Sequence, residues 1–444
     1  MSKTEPVARI VVLGASGLIG QTVGEALAQE GFAVTAVARR FTAAQTAAFG
    51  RQAVTCPMAD LDPDALARLL SEHRPDVVLN CLGVLQDGPR GTTQDVHAAF
   101  VARLLRAIGA QSRPVLLMHV SIPGQAKDDA TPFSRTKREA ETLIARSSCP
   151  FVILRPGFVI APGAYGGSAL IRSLAALPLA LPQALADRPF GTTAVDDIVR
   201  TVSSIARRWN AGERRWNAVW DIVEDRPATV GTVLEAFRRR FGGAKPVRRL
   251  PVWLLRAGAR AGDAAALLGW SPPVRTTALR EMMRGVEGDP RLWIAESAFQ
   301  PMQLSQTLER LPLTIQERWF GRLILLKPLI LACLAIFWIA SGFIALLAAF
   351  EAATAILTAR GLSDGLARAI TIVSSLADIT VGLAIAWRRT CRLGLLGGIA
   401  VSLFYMASAT FIAPDLWTEP LGALVKTGPA ILLMAVALAM LVER

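Results

Sequence analysis

The sequence is poor in the residues that build metal, haem and disulfide sites. Among its 444 residues there are 5 cysteines and 3 histidines. The cysteines form no CxxC pair and show no metal-ligand spacing, which favours isolated thiols in a reducing compartment over disulfides or ligands. No two histidines are placed to face each other across a membrane, so a b-type haem is not expected either. We expect no metal.

The chain also lacks a compact aromatic and basic motif of the kind that binds RNA, although its net charge is +13. Its basic residues are scattered through helical segments or flank apolar stretches. Nucleic acid is therefore not an expected partner. The surface of an anionic lipid bilayer is the simpler partner for this charge.

Charge is missing from long stretches of the last quarter. Residues 329–350 carry no formal charge over 22 positions, enough for a helix to cross roughly 30 Å of hydrocarbon. Similar runs follow, and the pattern predicts an all-α bundle of four transmembrane helices. These spans are expected at about 323–350, 369–387, 393–413 and 421–442.

The distribution of charge sets the expected orientation of the chain. The first nine residues are polar, so no signal sequence is expected. Basic residues precede the first span and separate the second from the third, while the segment 414–420 is acidic. The large N-terminal part and both chain ends are therefore expected on the cytoplasmic side. Arg360 and Arg368, between the first two spans, weaken this pattern without reversing it.

A glycine-rich turn near the N-terminus predicts a nucleotide site. The strand Ile10–Leu13 leads into Gly14, Gly17 and Gly20, and a helix and a second strand, Ala33–Ala38, follow. In this order the first glycine makes the turn, the second admits a pyrophosphate and the third lets the helix pack closely on the strand. Because the strand, turn and helix occur in register, nucleotide binding is favoured over a structural turn.

Two arginines follow the second strand, at the place where an acidic residue would hold the ribose of NAD. Arg39 and Arg40 suit a 2′-phosphate instead. The alternative is a solvated basic pair. The sequence thus favours NADP(H) over NAD(H).

Further apolar segments alternate with helical ones up to about residue 157. This alternation predicts an α/β doubly wound parallel-sheet Rossmann domain, with a small α/β substrate-side subdomain after it. Ligands of such sheets bind beyond the carboxyl ends of the strands. The later strands are expected at 54–61, 76–83, 115–121 and 151–157.

Several short motifs together resemble the extended or atypical short-chain dehydrogenase/reductase (SDR) superfamily over roughly residues 7–300. They are the glycine turn 14–20, the pair Asp60 and Leu61, residues 80–83 (NCLG), Ser121 with Lys137, residues 154–157 (LRPG), and residues 195–197. The segment 323–442 resembles the DoxX-like membrane family. The combination resembles bacterial proteins, which implies a multi-pass protein of the bacterial cytoplasmic membrane.

The resemblance implies a cofactor site made of residues from every strand end. The glycine turn would contact the pyrophosphate, Asp60 and Leu61 the adenine side, and Lys137 the ribose hydroxyls. The complete expected set is Gly14, Ser16, Gly17, Leu18, Ile19, Gly20, Arg39, Arg40, Asp60, Leu61, Cys81, Leu82, Gly83, Lys137, Pro156 and Gly157.

The superfamily's catalytic tyrosine is missing. Phe133 stands at its position, twelve residues after Ser121 and four before Lys137. A phenyl ring has no proton to exchange with a substrate oxygen. His119 and Tyr165 are possible substitutes, but a lone histidine on an apolar strand is more often a core residue. Ser121 would polarise a substrate oxygen or simply satisfy a backbone group.

Two functions therefore remain open. One is a membrane-bound, NADP(H)-dependent oxidoreductase acting on a lipophilic carbonyl or quinone-like compound. The other is a non-catalytic NADP(H)-binding scaffold or redox-sensing subunit with a membrane-protein partner, by analogy with the NADPH-holding accessory subunit of respiratory complex I, which the atypical subgroup resembles.

The expected domain organisation follows from these motifs. Residues 7–225 form the Rossmann domain, with cleft elements from 165 on, and 226–310 form its helical cap. An amphipathic connector, 311–322, leads to the membrane domain, 323–444. Within that domain Asp378 is a formal charge deep in a span, which indicates either a functional group or a hydrogen-bonded carboxyl.

Overall fold

The computed structural model describes residues 7–88, 91–226, 228–418 and 422–441, and it divides the chain into two compact units. The first unit comprises residues up to Asp263 together with Pro273–Gly321. The second comprises Ala264–Pro272 and the chain from Arg322 onward. Each unit has its own hydrophobic core.

Strands occur in the described part of the first unit only. They are β1 (Arg9–Leu13), β2 (Ala33–Ala38), β3 (Ala53–Thr55), β4 (Val77–Asn80), β5 (Leu116–Val120), β6 (Phe151–Pro156), β7 (Phe158–Ile160), β8 (Leu179–Ala180), β9 (Thr192–Ala194), β10 (Asn217–Ile222) and β11 (Arg248–Arg249).

Seven of these strands form one parallel sheet in the order β10-β6-β5-β4-β1-β2-β3. The order reverses beside β1, where Leu13 pairs with Val37 of β2 on one side and with Asn80 of β4 on the other. Crevices at such reversals are where doubly wound sheets bind ligands. The prediction of a doubly wound parallel sheet is confirmed.

Both faces of this sheet are covered, which explains why its strands are almost wholly apolar. Alternate residues of one strand enter different cores: Ile10 and Val12 belong to one buried cluster, Val11 and Leu13 to another. This alternation follows from the two-residue period of a strand.

The third strand is shorter than its apolar sequence predicts. It ends at Thr55, and Met58–Asp60 forms a short 3-10 helix instead of continuing the strand. Pro57 precedes this turn, and proline cannot donate a ladder hydrogen bond. The prediction that Asp60 ends a strand is therefore wrong, although Asp60 still follows the carboxyl end of β3.

Helices connect the strands and cover the sheet. They are α1 (Leu18–Gln29), α2 (Ala43–Phe49), α3 (Pro63–His73), α4 (Phe100–Gly109), α5 (Pro132–Ala145), α6 (Gly167–Ala176), α7 (Gln183–Ala186), α8 (Val195–Asn210), α9 (Val230–Phe241), α10 (Val252–Leu267), α11 (Thr276–Arg284), α12 (Arg291–Ser297), α13 (Leu304–Glu309) and α14 (Ile315–Leu323).

A smaller subdomain follows the main sheet. It contains two two-stranded parallel sheets, β7 with β9 and β8 with β11. A third buried cluster joins residues of α6, α9 and α13, among them Ile171, Phe237 and Leu308. The predicted small α/β subdomain is therefore present.

Helices alone make up the described part of the second unit. Three of them are long and apolar enough to cross a membrane: Leu326–Ala348, Asp364–Ala386 and Cys391–Ile412. The fourth predicted span, 421–442, is represented by a shorter apolar helix, and residues 421 and 442 lie outside the described ranges. The helices are α15 (Leu326–Phe343, continued by a π-helical turn), α16 (Phe350–Thr358), α17 (Asp364–Ala386), α18 (Cys391–Ile412) and α19 (Ala423–Met440).

Glycines let these apolar helices approach each other closely, as is common in membranes. A Cβ atom on Gly382 would lie 2.8 Å from the backbone nitrogen of Ile339, and one on Gly394 would lie 2.6 Å from that of Ile385. Trp270, from the short segment Ala264–Pro272, donates to the Ala386 carbonyl at 2.7 Å.

Candidate active site

The glycine turn between β1 and α1 lies against the end of β4. Gly14 has a φ of +81°, and a Cβ atom on it would lie 3.1 Å from the Cys81 carbonyl carbon. A Cβ on Gly20 would lie 2.4 Å from the Gly14 carbonyl oxygen. Gly17 precedes α1 without a side-chain cap, so the first helical amides are left for an anion. The turn thus has the form of a pyrophosphate site.

A glutamine that the sequence analysis missed connects this turn to the loop carrying the two arginines. Gln45 of α2 is buried and donates to the Ser16 carbonyl at 3.2 Å and to the Gln21 amide oxygen at 2.8 Å. It also forms a capping box with Thr42. The Thr42-x-x-Gln45 pattern is a helix-start signal that could have revealed the capping box, but not the contact of Gln45 with Ser16.

The predicted adenine-side residues lie on either side of this loop. Arg39 and Arg40 are exposed directly after β2. Asp60 is exposed in its 3-10 turn, and Leu61 packs partly against the core. The turn is held by Arg103, which donates to the Ala59 carbonyl at 2.6 Å.

Lys137 is the buried cation of the site. Its Nζ atom donates to the carbonyl oxygens of Leu82 at 3.0 Å and Val120 at 2.9 Å, and so joins the ends of β4 and β5. A Cβ on Gly83, which is exposed, would lie 3.6 Å from Nζ. The ammonium therefore lies just beneath the surface of the cleft, with one N–H beyond the two that the carbonyls accept.

Burial changes the acid strength of this ammonium. Loss of hydration lowers the pKa of Lys137 to about 8, although the nearby Cys81 and Glu141 oppose the shift. Burial likewise raises the pKa of the Cys81 thiol to about 12. The cation is thus the group at this place that titrates nearest to neutral pH.

Phe133 packs on a histidine whose protonation is fixed by its hydrogen bonds. The rings of Phe133 and His97 lie 5.6 Å apart, edge to face. The Val84 amide donates to His97 Nε2 at 3.1 Å, so Nδ1 carries the proton and donates to Thr136 Oγ1 at 2.8 Å. That hydroxyl donates in turn to the Pro132 carbonyl. Burial, reinforced by Lys137, lowers the pKa of His97 to about 2. His97 is therefore neutral, and the proton on Nδ1 is held by its hydrogen bond to Thr136.

His119, one suggested substitute for the tyrosine, is a buried residue of β5. Asn80 donates to its Nδ1 at 3.1 Å, an orientation fixed because the Leu82 amide donates to the other amide atom of Asn80. Burial, together with the charge of Lys137 and the neighbouring His97, holds the pKa of His119 well below its ordinary value. His119 is a hydrogen-bonded core residue.

Tyr165, the other suggested substitute, lies on the side of the glycine turn. A Cβ on Gly163 would lie 3.5 Å from Tyr165 Cε2 and 3.6 Å from Leu18 Cδ1. The loop before α6 thus brings Tyr165 towards the first residue of α1. The Tyr165 amide donates to Ser168 Oγ at 2.8 Å, which stabilises this loop.

Ser121 directly follows β5. It is buried, and its amide donates to the Leu154 carbonyl at 2.7 Å. Within the described residues its hydroxyl forms no hydrogen bond of ordinary geometry, although it lies beside Glu141. The expected bond to a backbone group is thus not formed within the described residues, and the contact with a substrate oxygen stays a prediction.

Behind Lys137, a chain of ion pairs fixes α5. Arg155 donates to both oxygens of Glu141, at 2.7 and 2.6 Å, and Arg138 contacts the same carboxylate at 3.1 Å. Arg138 also contacts Asp129, which Arg284 of α11 contacts at 2.7 Å. Burial alone would raise the pKa of Glu141, but the hydrogen bonds and charge of Arg155 lower it overall. Sequence reasoning missed this network, although the spacing of Arg138 and Glu141, three residues apart on α5, could have revealed their contact. Arg284 lies 155 residues from Asp129 and had no such signal.

The last predicted cofactor residues lie where β6 meets β7. Pro156 is buried, and the Gly157 amide donates to Thr193 Oγ1 at 2.8 Å. A Cβ on Gly157 would lie 2.3 Å from the Gly191 carbonyl oxygen, so only glycine fits. In the described ranges, no group of three or more His, Cys, Asp or Glu side chains is arranged to hold a metal ion.

A parallel sheet of this order, with a glycine turn at its point of reversal, defines a Rossmann-type NAD(P)-binding domain. Comparison with known families agrees. Residues 10–218 match the NAD dependent epimerase/dehydratase family, and residues 335–435 match the DoxX-like family. The chain thus joins a segment that matches the epimerase/dehydratase family to one that matches the DoxX-like family.

Two characterised relatives are oxidoreductases. A 3-diazoavenalumate denitrifying reductase from Streptomyces sp is 29% identical over 291 residues, covering 59% of this chain and 88% of the relative. A dTDP-6-deoxy-L-talose 4-dehydrogenase (NAD(P)(+)) from Kitasatospora kifunensis is 29% identical over 181 residues, covering 37% of this chain and 56% of the relative.

Solved structures share the fold at lower identity. UDP-glucuronic acid 4-epimerase from Bacillus cereus, solved with UDP-glucuronic acid and NAD, has a TM-score of 0.51 and 16% identity, covering 71% of this chain and 99% of its own. A human epimerase family protein solved with NADPH has a TM-score of 0.51 and 19% identity, covering 68% and 98%. Structures of this fold hold either nucleotide.

Replacing Gly20 by alanine tests the glycine turn. The added Cβ meets the Gly14 carbonyl oxygen at 2.4 Å, so the turn must open and the affinity for NAD(P)(H) is expected to fall at least tenfold, about 1.4 kcal/mol. Gly258→Ala is the matched control, because a Cβ on this helical glycine meets nothing within 4 Å. Titration of the nucleotide by fluorescence measures both. Equal nucleotide affinity in the two variants would contradict the assignment of the glycine turn to the nucleotide site.

Glu141→Gln tests the ion-pair chain. Removing this buried charge leaves Arg155 and Arg138 short of a partner and is expected to cost about 3 kcal/mol at pH 7. Because the pKa of Glu141 is lowered in the folded protein, its contribution is present above the unfolded pKa, about 4.3, and is lost as the pH falls through the folded pKa. The midpoints of urea unfolding of the natural protein and of Glu141→Gln should therefore approach each other at acid pH.

The control for this variant is Glu213→Gln, which removes an exposed partner of Arg208. A change below about 1 kcal/mol is expected there. A loss for Glu141→Gln as small as that of the control would contradict the structural role of the network.

Proposed function

We propose that this protein is a membrane-anchored, NADP(H)-dependent reductase of a lipophilic carbonyl or quinone-like compound. The observation that carries the proposal is the position of Lys137. Its buried ammonium donates two N–H groups to backbone carbonyls and lies directly beneath the exposed Gly83. The narrow glycine turn, with no room for a Cβ on Gly20, supports nucleotide binding. Bound NADPH supplies a hydride to the substrate.

Lys137 is also the proton source that remains when the tyrosine is missing. Phe133 has no ionisable proton, the Nδ1 proton of His97 is bonded to Thr136, and His119 is buried in the core. Tyr165 lies on the side of the glycine turn, towards Leu18. As hydride reaches the substrate carbon, its oxygen takes a proton from Lys137 Nζ. The neutral amine then regains a proton from solvent. An acid with a pKa near the working pH suits this role.

The preference for NADP(H) rests on Arg39 and Arg40. Both are exposed beyond the carboxyl end of β2, and Gln45 holds the following helix against the glycine turn. Guanidinium groups there suit a 2′-phosphate. The glycine turn, Asp60 and Leu61, residues 81–83 and residues 156–157 complete the proposed cofactor site.

The same contacts favour a second candidate, a scaffold that holds NADP(H) without turnover. The ring of Phe133 fills the place of the tyrosine and packs on a neutral histidine. Binding needs Lys137 but not a tyrosine. Such a scaffold would act with a membrane-protein partner. The reductase is preferred because the named relatives are a reductase and a dehydrogenase.

The membrane domain suits a lipophilic substrate, which partitions into the bilayer. We place the SDR-like part and both chain ends on the cytoplasmic side of the bacterial inner membrane. Basic residues at the inner ends of the apolar helices, Lys327, Arg388 and Arg389 among them, support this orientation.

The cofactor preference is tested by Arg39→Asp combined with Arg40→Asp. Loss of two cations opposite a 2′-phosphate is expected to weaken NADPH binding at least tenfold and to leave NADH binding within threefold. The control, Arg256→Asp with Arg260→Asp, makes the same change of charge on exposed positions of α10. Unchanged selectivity in the first variant would contradict the assignment.

The proton source is tested by the pH dependence of carbonyl reduction with NADPH. Because the protonated ammonium is the acid and its pKa is about 8, kcat/KM is expected to fall as the pH rises through about 8. Phe133→Tyr restores a phenol and is expected to raise carbonyl reduction at least tenfold. Stopped-flow absorbance of NADPH, over a panel of hydrophobic carbonyls and quinones, measures both effects.

Lys137→Arg is the companion variant, since it keeps the charge but removes the weak acid. It is expected to retain nucleotide and to lose at least a hundredfold in carbonyl reduction. Stoichiometric nucleotide without turnover, in the natural protein and in Phe133→Tyr alike, would contradict the reductase and favour the scaffold.

A further inference from the structure

A carboxyl group is enclosed within the second unit. Asp378 of α17 is 8% exposed and lies 14 residues from Asp364 and 8 from Ala386, the two ends of that helix. These separations correspond to about 21 Å and 12 Å of helix. The carboxyl is therefore deep in the predicted membrane span.

Its two oxygens have different partners from two other helices. Tyr405 of α18 donates to Oδ1 at 2.9 Å, and Ser341 of α15 lies 3.3 Å from Oδ2. Within the described residues no lysine or arginine pairs with Asp378. The nearest cations on the same chain segment, Arg368 and Arg388, are each ten residues away, about 15 Å along a helix.

These hydrogen bonds suit two protonation states. Toward a carboxylate, both hydroxyl groups donate. Toward a carboxylic acid, the Ser341 hydroxyl reverses and accepts the acid proton, while Tyr405 continues to donate to the other oxygen. A hydroxyl can make this change by rotation alone, so neither state leaves an oxygen of Asp378 unpaired.

Two further donors, one helical turn away, lack a partner. Ser375 is 1% exposed and Trp338 is 3% exposed, and neither Ser375 Oγ nor Trp338 Nε1 has a hydrogen-bond acceptor in the described residues. Ser375 precedes Asp378 by three residues, and Trp338 precedes Ser341 by three, so each shares a helix face with the cluster. Buried donors of this kind indicate a polar occupant such as water.

An isolated carboxylate at this depth, without a cation, is costly. A bound metal cation would need about six oxygen ligands. The described oxygens around Asp378 are its own two, the hydroxyls of Ser341 and Tyr405 and the Ser374 carbonyl, with the Ser375 hydroxyl one helical turn away. A cation would therefore also need water, and protection by sodium distinguishes it from a proton. A proton satisfies the cluster with the atoms present.

From this arrangement we infer that Asp378, Ser341 and Tyr405 form a site inside the membrane unit that binds and releases a proton. The group that changes is the Asp378 carboxyl. Ser341 and Tyr405 position it, and the unpartnered donors of Ser375 and Trp338 hold the water through which the proton exchanges. This site is independent of the proposed reductase activity.

The test is modification of the full-length protein by dicyclohexylcarbodiimide, an apolar reagent that reacts with protonated carboxyl groups. Peptide mass spectrometry at pH 7 is expected to find Asp378 modified at least tenfold more than Asp364 and Glu351, which are exposed and paired with Arg368. Asp378→Asn should lose this peptide's label. Sodium chloride at high concentration should give no protection.

Infrared spectroscopy checks the same group without a reagent. The difference between the infrared spectra of the natural protein and the Asp378→Asn variant should show the carbonyl stretch of a protonated carboxyl. This band should shift in heavy water if the proton exchanges. Ser341→Ala should retain the label but change its pH dependence, because the reversible hydroxyl is gone.

Three results would overturn the inference. Protection of Asp378 by sodium would indicate a cation site. Labelling only in acid would indicate an ordinary ionised carboxylate. A missing carbonyl stretch, or one that does not shift in heavy water, would indicate a carboxyl with a purely structural role.

Discussion

The buried ammonium of Lys137 constrains the whole of the first unit's cleft. Its bonds to the carbonyls of Leu82 and Val120 join two strand ends, and a cation so poorly hydrated excludes other cations from its surroundings. Burial, reinforced by this charge, lowers the pKa of His97 and keeps it a neutral acceptor toward the Val84 amide. A carboxylate, Glu141, lies behind the ammonium and favours its charged form. Phe133 fits the same rule, since an apolar ring adds no charge beside the ammonium.

Much of the fold could be predicted because it depends on local pattern. The glycine turn, the apolar strands β1 and β2 and the long uncharged helices each have a signal within a few residues. The error is local as well: Pro57 ends the third strand earlier than hydropathy suggests. The positions of the predicted cofactor residues, at successive strand ends, follow from the sheet order.

Contacts between distant residues had no such signal. Arg284 meets Asp129 across 155 positions, Gln45 meets Ser16 across 29, and Tyr405 meets Asp378 across 27. Each pair is set by the packing of elements, not by spacing along the chain. For the same reason the sequence left open whether His119 is a substitute acid or a core residue, and its bond to Asn80 is formed by packing that no local pattern indicates.

The contact of Gln45 with the Ser16 carbonyl has a consequence for how this protein can change over evolution. The loop with Arg39 and Arg40 is fixed at its start by β2 and at its end by the capped first turn of α2. The side chains of Arg39 and Arg40 are exposed, so their charge can be changed without altering the backbone of the glycine turn. On the proposed assignment of Arg39 and Arg40 to the 2′-phosphate, descendants of this chain could change their nucleotide preference at these two positions while the fold around them stays the same.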